Sequence, residues 1–197
     1  MTFEIITALA GFCFVSSITP GPNNLMLMAS GANFGFLRTL PHMLGVGIGF
    51  VVMVFCVGIG LAQIFNLYPV SYTVLKVMSV GYLLYLAWKI ANATPARATD
   101  DAGKPMTFLQ AAAFQWVNPK AWTMAVTAVT VYAPDTSLFS IIAVSGIFGA
   151  VNLPSIAAWC LMGQQMARVL TNPKRLRAFN WCMAALLVAS LYPVILP

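Results

Sequence analysis

Charged side chains are scarce in this chain. Asp, Glu, Lys and Arg together make up 7% of its 197 residues, whereas 60% of the residues are hydrophobic. Soluble domains carry about 25% charged residues, so this chain lacks the polar side chains that would cover a surface in water. The composition excludes a soluble protein and predicts an integral membrane protein whose surface meets the lipid bilayer.

Acidic residues are scarcer still: there are four, and none lies in the middle of an apolar segment. His42 is the single histidine, and the four cysteines form no C-x-x-C pair. The chain therefore lacks the paired carboxylates, the Ser/His/Asp arrangement and the ligand cluster on which hydrolytic or metal chemistry depends. We expect no enzyme activity, no catalytic residue, no metal and no cofactor.

Long apolar runs are what the sequence has in abundance. Six of them are long enough for the roughly 20 residues that a bilayer core requires: residues 3–30, 43–65, 70–91, 108–132, 138–162 and 179–196. The polar stretch 92–106 separates a first unit, 1–91, from a second unit, 107–197, with three helices each. Because three is odd, the second unit enters the membrane from the opposite side, so we predict an all-α fold of two inverted three-helix repeats.

Basic residues are distributed unevenly between the two sides of such a protein. Eight of the ten fall in the three connections on one side, namely Arg38, Lys89, Arg97, Lys104, Arg168, Lys174, Arg175 and Arg177. The net charge of +6 therefore indicates membrane orientation and not nucleic-acid binding. The positive-inside rule makes this side cytoplasmic and puts both termini outside. We expect Arg38 and His42 in or beside the first of these loops.

Two of the apolar runs are interrupted by proline motifs, one in each half. The first motif is Thr19-Pro20-Gly21-Pro22 and the second is Asn118-Pro119-Lys120. Proline removes a backbone hydrogen bond within a helix and clashes with the preceding turn, so we predict that helices 1 and 4 are broken there. Paired interruptions of this kind are the best sequence pointer to a transporter's substrate site.

The two breaks predict a pocket with a cationic end and an oxygen-rich end. A new half-helix opening at Pro119 presents free N–H groups, and Lys120 adds an ammonium, which together favour a carboxylate. Carbonyl oxygens before each break, with amide side chains, favour an ammonium, so the pocket suits an amino-acid zwitterion. The predicted substrate-binding residues are Pro20, Gly21, Pro22, Asn23, Asn24, Gln115, Asn118, Pro119 and Lys120. Arg38, Asn152 and Pro154 are candidates for gating.

The absence of acidic side chains within the membrane segments bears on the cargo. A lysine or arginine substrate would find no buried carboxylate, and Lys120 would repel it, so the residues favour a neutral amino acid. Two alternatives stay open. Lys120 reaches an interface instead of a pocket if helix 4 begins later, and a channel or a helical subunit of a larger assembly has a similar composition. A homo-oligomer is compatible with each of these interpretations of the chain.

The chain resembles the LysE/RhtB family of amino-acid exporters. The resemblance rests on the two proline motifs and on the series Gly35, Arg38, Gly45 and Gly49, although Thr39 stands where the family often has glycine. Within the family the likeness is closest to cysteine/O-acetylserine exporters. The resemblance implies efflux of a small neutral amino acid, such as cysteine, O-acetylserine, homoserine or threonine, through a bacterial inner membrane and driven by the proton-motive force.

Overall fold

The computed structural model describes residues 1–93, 104–133, 135 and 137–195, and within them every regular element is a helix. The helices are α1 (Phe3–Ile18), α2 (Pro22–Phe34), α3 (Phe36–Gly58), α4 (Ile64–Leu67), α5 (Val70–Ala91), α6 (Phe108–Gln115), α7 (Pro119–Tyr132), α8 (Leu138–Val169), α9 (Pro173–Ala189) and α10 (Tyr192–Ile195). A short 3-10 turn covers Leu61–Gln63. Most of the predicted linker 92–106, with Arg97, lies outside the described residues.

Three of these helices, α3, α5 and α8, are long and apolar enough to cross a membrane alone. The α1–α2 pair bends by 55° at its break and makes a fourth crossing if it is counted as one broken span. These helices confirm an all-helical membrane protein. The count of six spans stays a prediction, because α6 and α7 are short individually and α9 has only 17 residues.

Helix α3 begins earlier than the sequence suggested. The prediction began this helix at residue 43, but α2 and α3 are separated only by Gly35, whose φ of 80° lies in a region that glycine adopts without strain. Because one residue makes the turn, the expected loop does not exist. Arg38 lies in the first turn of α3, and His42 is buried within that helix.

The last two long helices also differ from their predicted bounds. Helix α8 continues past residue 162 to Val169 and thus contains Arg168, and α9 begins at Pro173 instead of residue 179. The side chain of Asn172 accepts a hydrogen bond from the backbone N–H of Lys174 and caps α9. Hydropathy failed to locate these ends because helical turns at a membrane surface are polar.

Helices α3 and α8 form the centre of the molecule and pack against each other. Helix α3 also packs on α6 and α7, and α8 packs in the same way on α1 and α2. Glycines allow the close approach of α2 and α8, since a Cβ on Gly31 would collide with the carbonyl of Cys160 and one on Gly163 with that of Met28. Each central helix therefore contacts two consecutive helices.

Candidate functional site

The first break lies between α1 and α2. Helix α1 ends at Ile18, Thr19 is extended with φ −64° and ψ 141°, and α2 opens with Pro22 at its first position. Pro20 and Pro22 have no N–H to donate to the preceding turn, so the helical hydrogen bonds cannot run through this segment. The predicted interruption of the first helix is confirmed.

The second break lies between α6 and α7, where Gln115 ends one helix and Pro119 begins the next. The Asn118 side chain accepts a hydrogen bond from the Lys120 N–H at 3.2 Å, as a helix N-cap does. The two carbonyl groups exposed by this break also have donors. The Ser79 hydroxyl donates to the Val117 oxygen at 2.5 Å, and the Trp122 indole donates to the Trp116 oxygen at 2.9 Å.

The side chain of Lys120 joins the two breaks. Its Nζ donates to the carbonyl oxygen of Thr19 at 2.8 Å, to the Thr19 hydroxyl at 2.9 Å and to the carbonyl oxygen of Pro20 at 3.4 Å. Gly21 leaves room for this side chain, because a Cβ there would lie 2.7 Å from Lys120 Cδ. The ammonium of Lys120, in the second half of the chain, therefore binds the oxygens of the break in the first half.

Amide side chains make a second connection at the same level. Asn23 donates to Gln115 Oε1 at 2.8 Å, and Gln115 donates back to Asn23 Oδ1 at 3.2 Å. Asn24 donates to the carbonyl oxygens of Ser17 and Thr19, both at 2.8 Å. Gln115, Asn24 and Asn118 are all buried. Such pairing satisfies buried polar groups that a helix break leaves without helical partners.

The carbonyl groups that the sequence assigned to a ligand ammonium are thus already paired in this conformation. Asn24 holds the Ser17 oxygen, and the indole N–H of Trp159 donates to the Ile18 oxygen at 3.1 Å. The Thr19 hydroxyl donates to the Ser16 oxygen at 3.0 Å. A ligand would therefore bind by replacing internal donors and not by filling vacant positions.

A narrow cavity lies between the two breaks. Its lining includes six residues predicted from the sequence, namely Gly21, Asn23, Asn24, Asn118, Lys120 and Asn152. About 20 Å³ is open to the centre of a water molecule, which is room for one or two waters. Ser17 also lines this cavity, and its hydroxyl is buried with no hydrogen-bond partner among the residues that the structure describes. The site is polar and, in this conformation, too narrow for an amino acid.

The remaining predicted residues lie outside this cavity's lining. Pro20, Pro22, Gln115 and Pro119 form the breaks around it, and Pro154 lies inside α8. Arg38 is exposed and lines a separate, wider cavity of about 800 Å³ together with Gln164 and Arg168.

Sequence reasoning missed three residues of the site: the Ser17 hydroxyl, Thr19 as a partner of Lys120, and Trp159. Thr19 could have been found, because it belongs to the first proline motif. Trp159 gave no signal, since it lies 141 positions from the Ile18 carbonyl that it contacts. Among the described residues, no three His, Cys, Asp or Glu side chains are grouped as metal ligands.

Comparisons with known proteins identify the family of this chain. The model of the family described as LysE type translocator matches residues 14–190. Cysteine/O-acetylserine efflux proteins of Escherichia coli strain K12 and Shigella sonnei are each 29% identical to the chain, covering 95% of it and 96% of the relative. The protein of that name from Klebsiella pneumoniae is 29% identical, covering 95% of both chains. No solved structure matches. The resemblance seen in the sequence is confirmed: the chain belongs to the LysE type translocator family, which makes it a transporter and not an enzyme.

Proposed function

We propose that this chain is a secondary transporter that exports small neutral amino acids, or close derivatives of them, from the cytoplasm across the bacterial inner membrane. The observation that carries the proposal is the bond between Lys120 and Thr19, which connects paired helix breaks from the two halves of the chain. Relatives named for cysteine and O-acetylserine efflux support the substrate class.

An amino-acid zwitterion matches the charges at this link. The substrate carboxylate attracts the Lys120 ammonium, and the substrate ammonium takes its place on the oxygens of Thr19 and Pro20. The exchange replaces one ammonium by another, so it adds no net charge to the site. The described residues that line the cavity include no acidic side chain, and a second positive charge on the cargo would be left without a partner. The site therefore favours a neutral side chain.

Transport requires that the two halves move apart, because about 20 Å³ does not admit an amino acid. We assign residues 1–91 and 107–197 to two inverted repeats, with α6 and α7 as the fourth crossing and α9 as the sixth. Reciprocal packing supports this assignment, since α3 contacts α6 and α7 while α8 contacts α1 and α2. Rocking of one unit against the other opens such a site to alternate sides.

The basic residues support the orientation. Arg38 and Arg168 line one cavity, and Lys174, Arg175 and Arg177 lie in the first turns of α9 that follow. We assign this end to the cytoplasm and both termini to the outside. Export from this end follows the direction that the relatives' names imply, and the proton-motive force is the proposed energy source.

Counterflow in proteoliposomes tests the proposal. Radiolabelled threonine, cysteine, O-acetylserine, homoserine and arginine are offered to vesicles preloaded with unlabelled threonine. We expect saturable exchange of the neutral amino acids, poor competition by arginine and at least a tenfold loss of rate in Lys120→Met. Uptake that is linear in concentration and insensitive to this change would indicate a channel and would refute the proposal.

The chain contains its own control for Lys120. Asn172-Pro173-Lys174 repeats the tripeptide Asn118-Pro119-Lys120 and opens α9 with the same cap, but Lys174 is exposed. Lys174→Met removes an identical charge from an identical helix position, and we expect it to exchange substrate at nearly the wild-type rate. Equal losses in the two variants would show that charge in general, and not the link between the breaks, supports transport.

A further inference from the structure

Asn152 differs from the other polar side chains that line the cavity between the breaks. It lies in α8 and is 5% exposed. Its amide group makes no hydrogen bond with any residue that the structure describes, whereas buried polar groups are nearly always paired. Both amide atoms nevertheless keep some accessible surface, unlike the hydroxyl oxygen of Ser17. The amide of Asn152 is therefore free to bond to a molecule inside the cavity.

The other amide groups of the lining, and its ammonium group, already hold the breaks. Asn23 pairs with an amide side chain of α6, and Asn24 donates to two backbone oxygens. Asn118 accepts a hydrogen bond from the backbone N–H of Lys120, whose ammonium bonds to the first break. Asn152 takes part in none of these contacts. Its amide is therefore not needed to hold the breaks together, which leaves a ligand as its partner.

The two central helices contribute Asn152 and two apolar side chains to the lining. These are Phe50 of α3 and Ile156, which follows Asn152 by about one turn of α8, and Met124 of α7 adds a third apolar side chain. The ring of Phe50 packs edge-on against Phe148 at a centroid distance of 4.8 Å. A single amide among such side chains suits a short group that has apolar carbon atoms and one atom able to form hydrogen bonds.

An amide distinguishes polar from apolar ligands of the same shape. It has donor N–H groups and an acceptor oxygen, so it complements a hydroxyl, which both donates and accepts, and more weakly a thiol. A methyl group in the same place would cover the amide without bonding to it, and a buried polar group without a partner is costly. Sites built to bond a hydroxyl therefore reject the isostere that lacks it far more strongly than an apolar pocket distinguishes one methylene.

We propose that Asn152 sets the cargo specificity of this transporter by bonding to a hydroxyl or thiol group on a short substrate side chain. The inference rests on the proposed function, in which Lys120 and Thr19 bind the zwitterion at the breaks. It narrows the neutral amino acids to those with a polar side chain. This role differs from the gating expected for Asn152 from the sequence, because a gate affects all cargo equally, whereas a specificity residue changes the ratio between cargoes.

Counterflow with isosteric pairs tests the proposal in the wild-type protein. Threonine and valine have the same shape, as do homoserine and norvaline, and in each pair a hydroxyl replaces a methyl group. Vesicles preloaded with unlabelled threonine are offered each labelled amino acid, and the ratio of maximal rate to KM is measured. We expect the hydroxyl member of each pair to be exchanged about tenfold more efficiently. Equal efficiencies would overturn the inference and leave the export of neutral amino acids standing, whereas the absence of saturable exchange of all four would refute the proposed function and the inference with it.

Asn152→Leu places the effect at this residue. Leucine has a similar size but no polar atom, so exchange of threonine should fall, and its efficiency relative to valine should drop about tenfold. The melting temperature should not fall, because an unpaired amide is removed from a largely apolar wall. Ser155→Ala is the matched control, since it removes from the same helix a hydroxyl already bonded to the Val151 oxygen at 2.8 Å, and the ratio should stay unchanged. A wild-type ratio in Asn152→Leu would refute the proposal, even if both rates fell.

Discussion

Lys120 and Thr19 lie 101 positions apart, yet the ammonium of one donates to both the carbonyl oxygen and the hydroxyl of the other at 2.8 and 2.9 Å. Thr19 and Pro20 are exposed, whereas Asn118 and Gln115 on the opposite side are buried. The link therefore runs from the protected interior to a break that reaches the protein surface. In the proposed export cycle, a substrate approaching from that side would meet Thr19 and Pro20 first.

Thr19→Val tests the hydroxyl half of this link. The substitution keeps the shape and the backbone carbonyl but removes one of the three acceptors of Lys120. We expect a several-fold rise in the KM for exchange of threonine in counterflow, because the substrate ammonium loses the same acceptor. Thr19→Ser, which retains the hydroxyl, should restore the wild-type KM; failure to do so would assign the effect to the lost methyl group.

Gly21→Ala tests the space beside Lys120. The added Cβ would lie 2.7 Å from Lys120 Cδ, which displaces the lysine side chain from its partners at the first break. The φ of Gly21 is −170°, an extended conformation open to any residue, so the effect should come from contact and not from backbone strain. We expect a large loss of exchange with little change in melting temperature.

Gly11→Ala is the matched control for that variant. A Cβ at Gly11, in α1, meets nothing within 4 Å. Alanine should there stabilise the helix slightly and leave exchange unchanged. A comparable transport defect in both variants would contradict the role assigned to Gly21.

Gly163→Ala tests the contact of α2 with α8. The new methyl group would meet the carbonyl of Met28, which belongs to the backbone and has no rotamer to escape into. Overpacking of this kind costs about 1–3 kcal/mol, so the melting temperature in detergent should fall. Gly146→Ala in the same helix faces open space and should not lower it. A fall of equal size in both variants would show that α8 simply does not tolerate alanine.

Asn118→Ala tests the cap of the second half-helix. Loss of an N-cap costs about 0.5–2 kcal/mol. Here the substitution also removes the side chain whose hydrogen bond positions the backbone of Lys120. We expect lower stability together with slower exchange. Asn172→Ala, at the second copy of the tripeptide, should lower stability by a similar amount but leave exchange intact. A transport defect in Asn172→Ala would show that destabilisation alone explains the loss.

Asp135 lies in the connection before α8, and its carboxyl group makes the stability of the fold depend on pH. Hydrogen bonds from the hydroxyls of Ser140 and Ser137 hold the pKa of Asp135 below its ordinary value. A depressed pKa stabilises the folded state above the unfolded-state pKa, and this contribution is lost as the pH falls through the folded-state value. Melting temperatures followed from pH 5 down to pH 2 should therefore fall more in the wild type than in Asp135→Asn; parallel curves would contradict this.

The breaks themselves were predictable from the sequence because proline acts locally. Pro20, Pro22 and Pro119 lack the N–H that a continuous helix needs, wherever they lie in a fold. The site around them was predictable only in part. The tripeptides at Asn118 and Asn172 are identical and open helices in the same way, but Lys120 reaches the first break and Lys174 is exposed. Only tertiary packing distinguishes them.

Helix ends and buried polar groups were harder to predict. The turn at Gly35 occupies one residue, and a hydropathy window averages over many, so the start of α3 was misplaced. His42 was consequently assigned to a loop although it is buried in the helix. Its environment depends on α2 and on the end of α5, and no local pattern reports which distant residues will surround a side chain.

The one-residue turn at Gly35 has a mechanical consequence. The backbone N–H of Phe36, the first residue of α3, donates to Gln164 Oε1 of α8 at 2.6 Å. The start of α3 is therefore held against α8, and Gly35 is the single residue that connects it to α2. A rotation of α2 about its proline end would change the backbone dihedral angles of Gly35. The break at Pro20 and Pro22 and the region around His42 are thereby joined through the thirteen residues of α2.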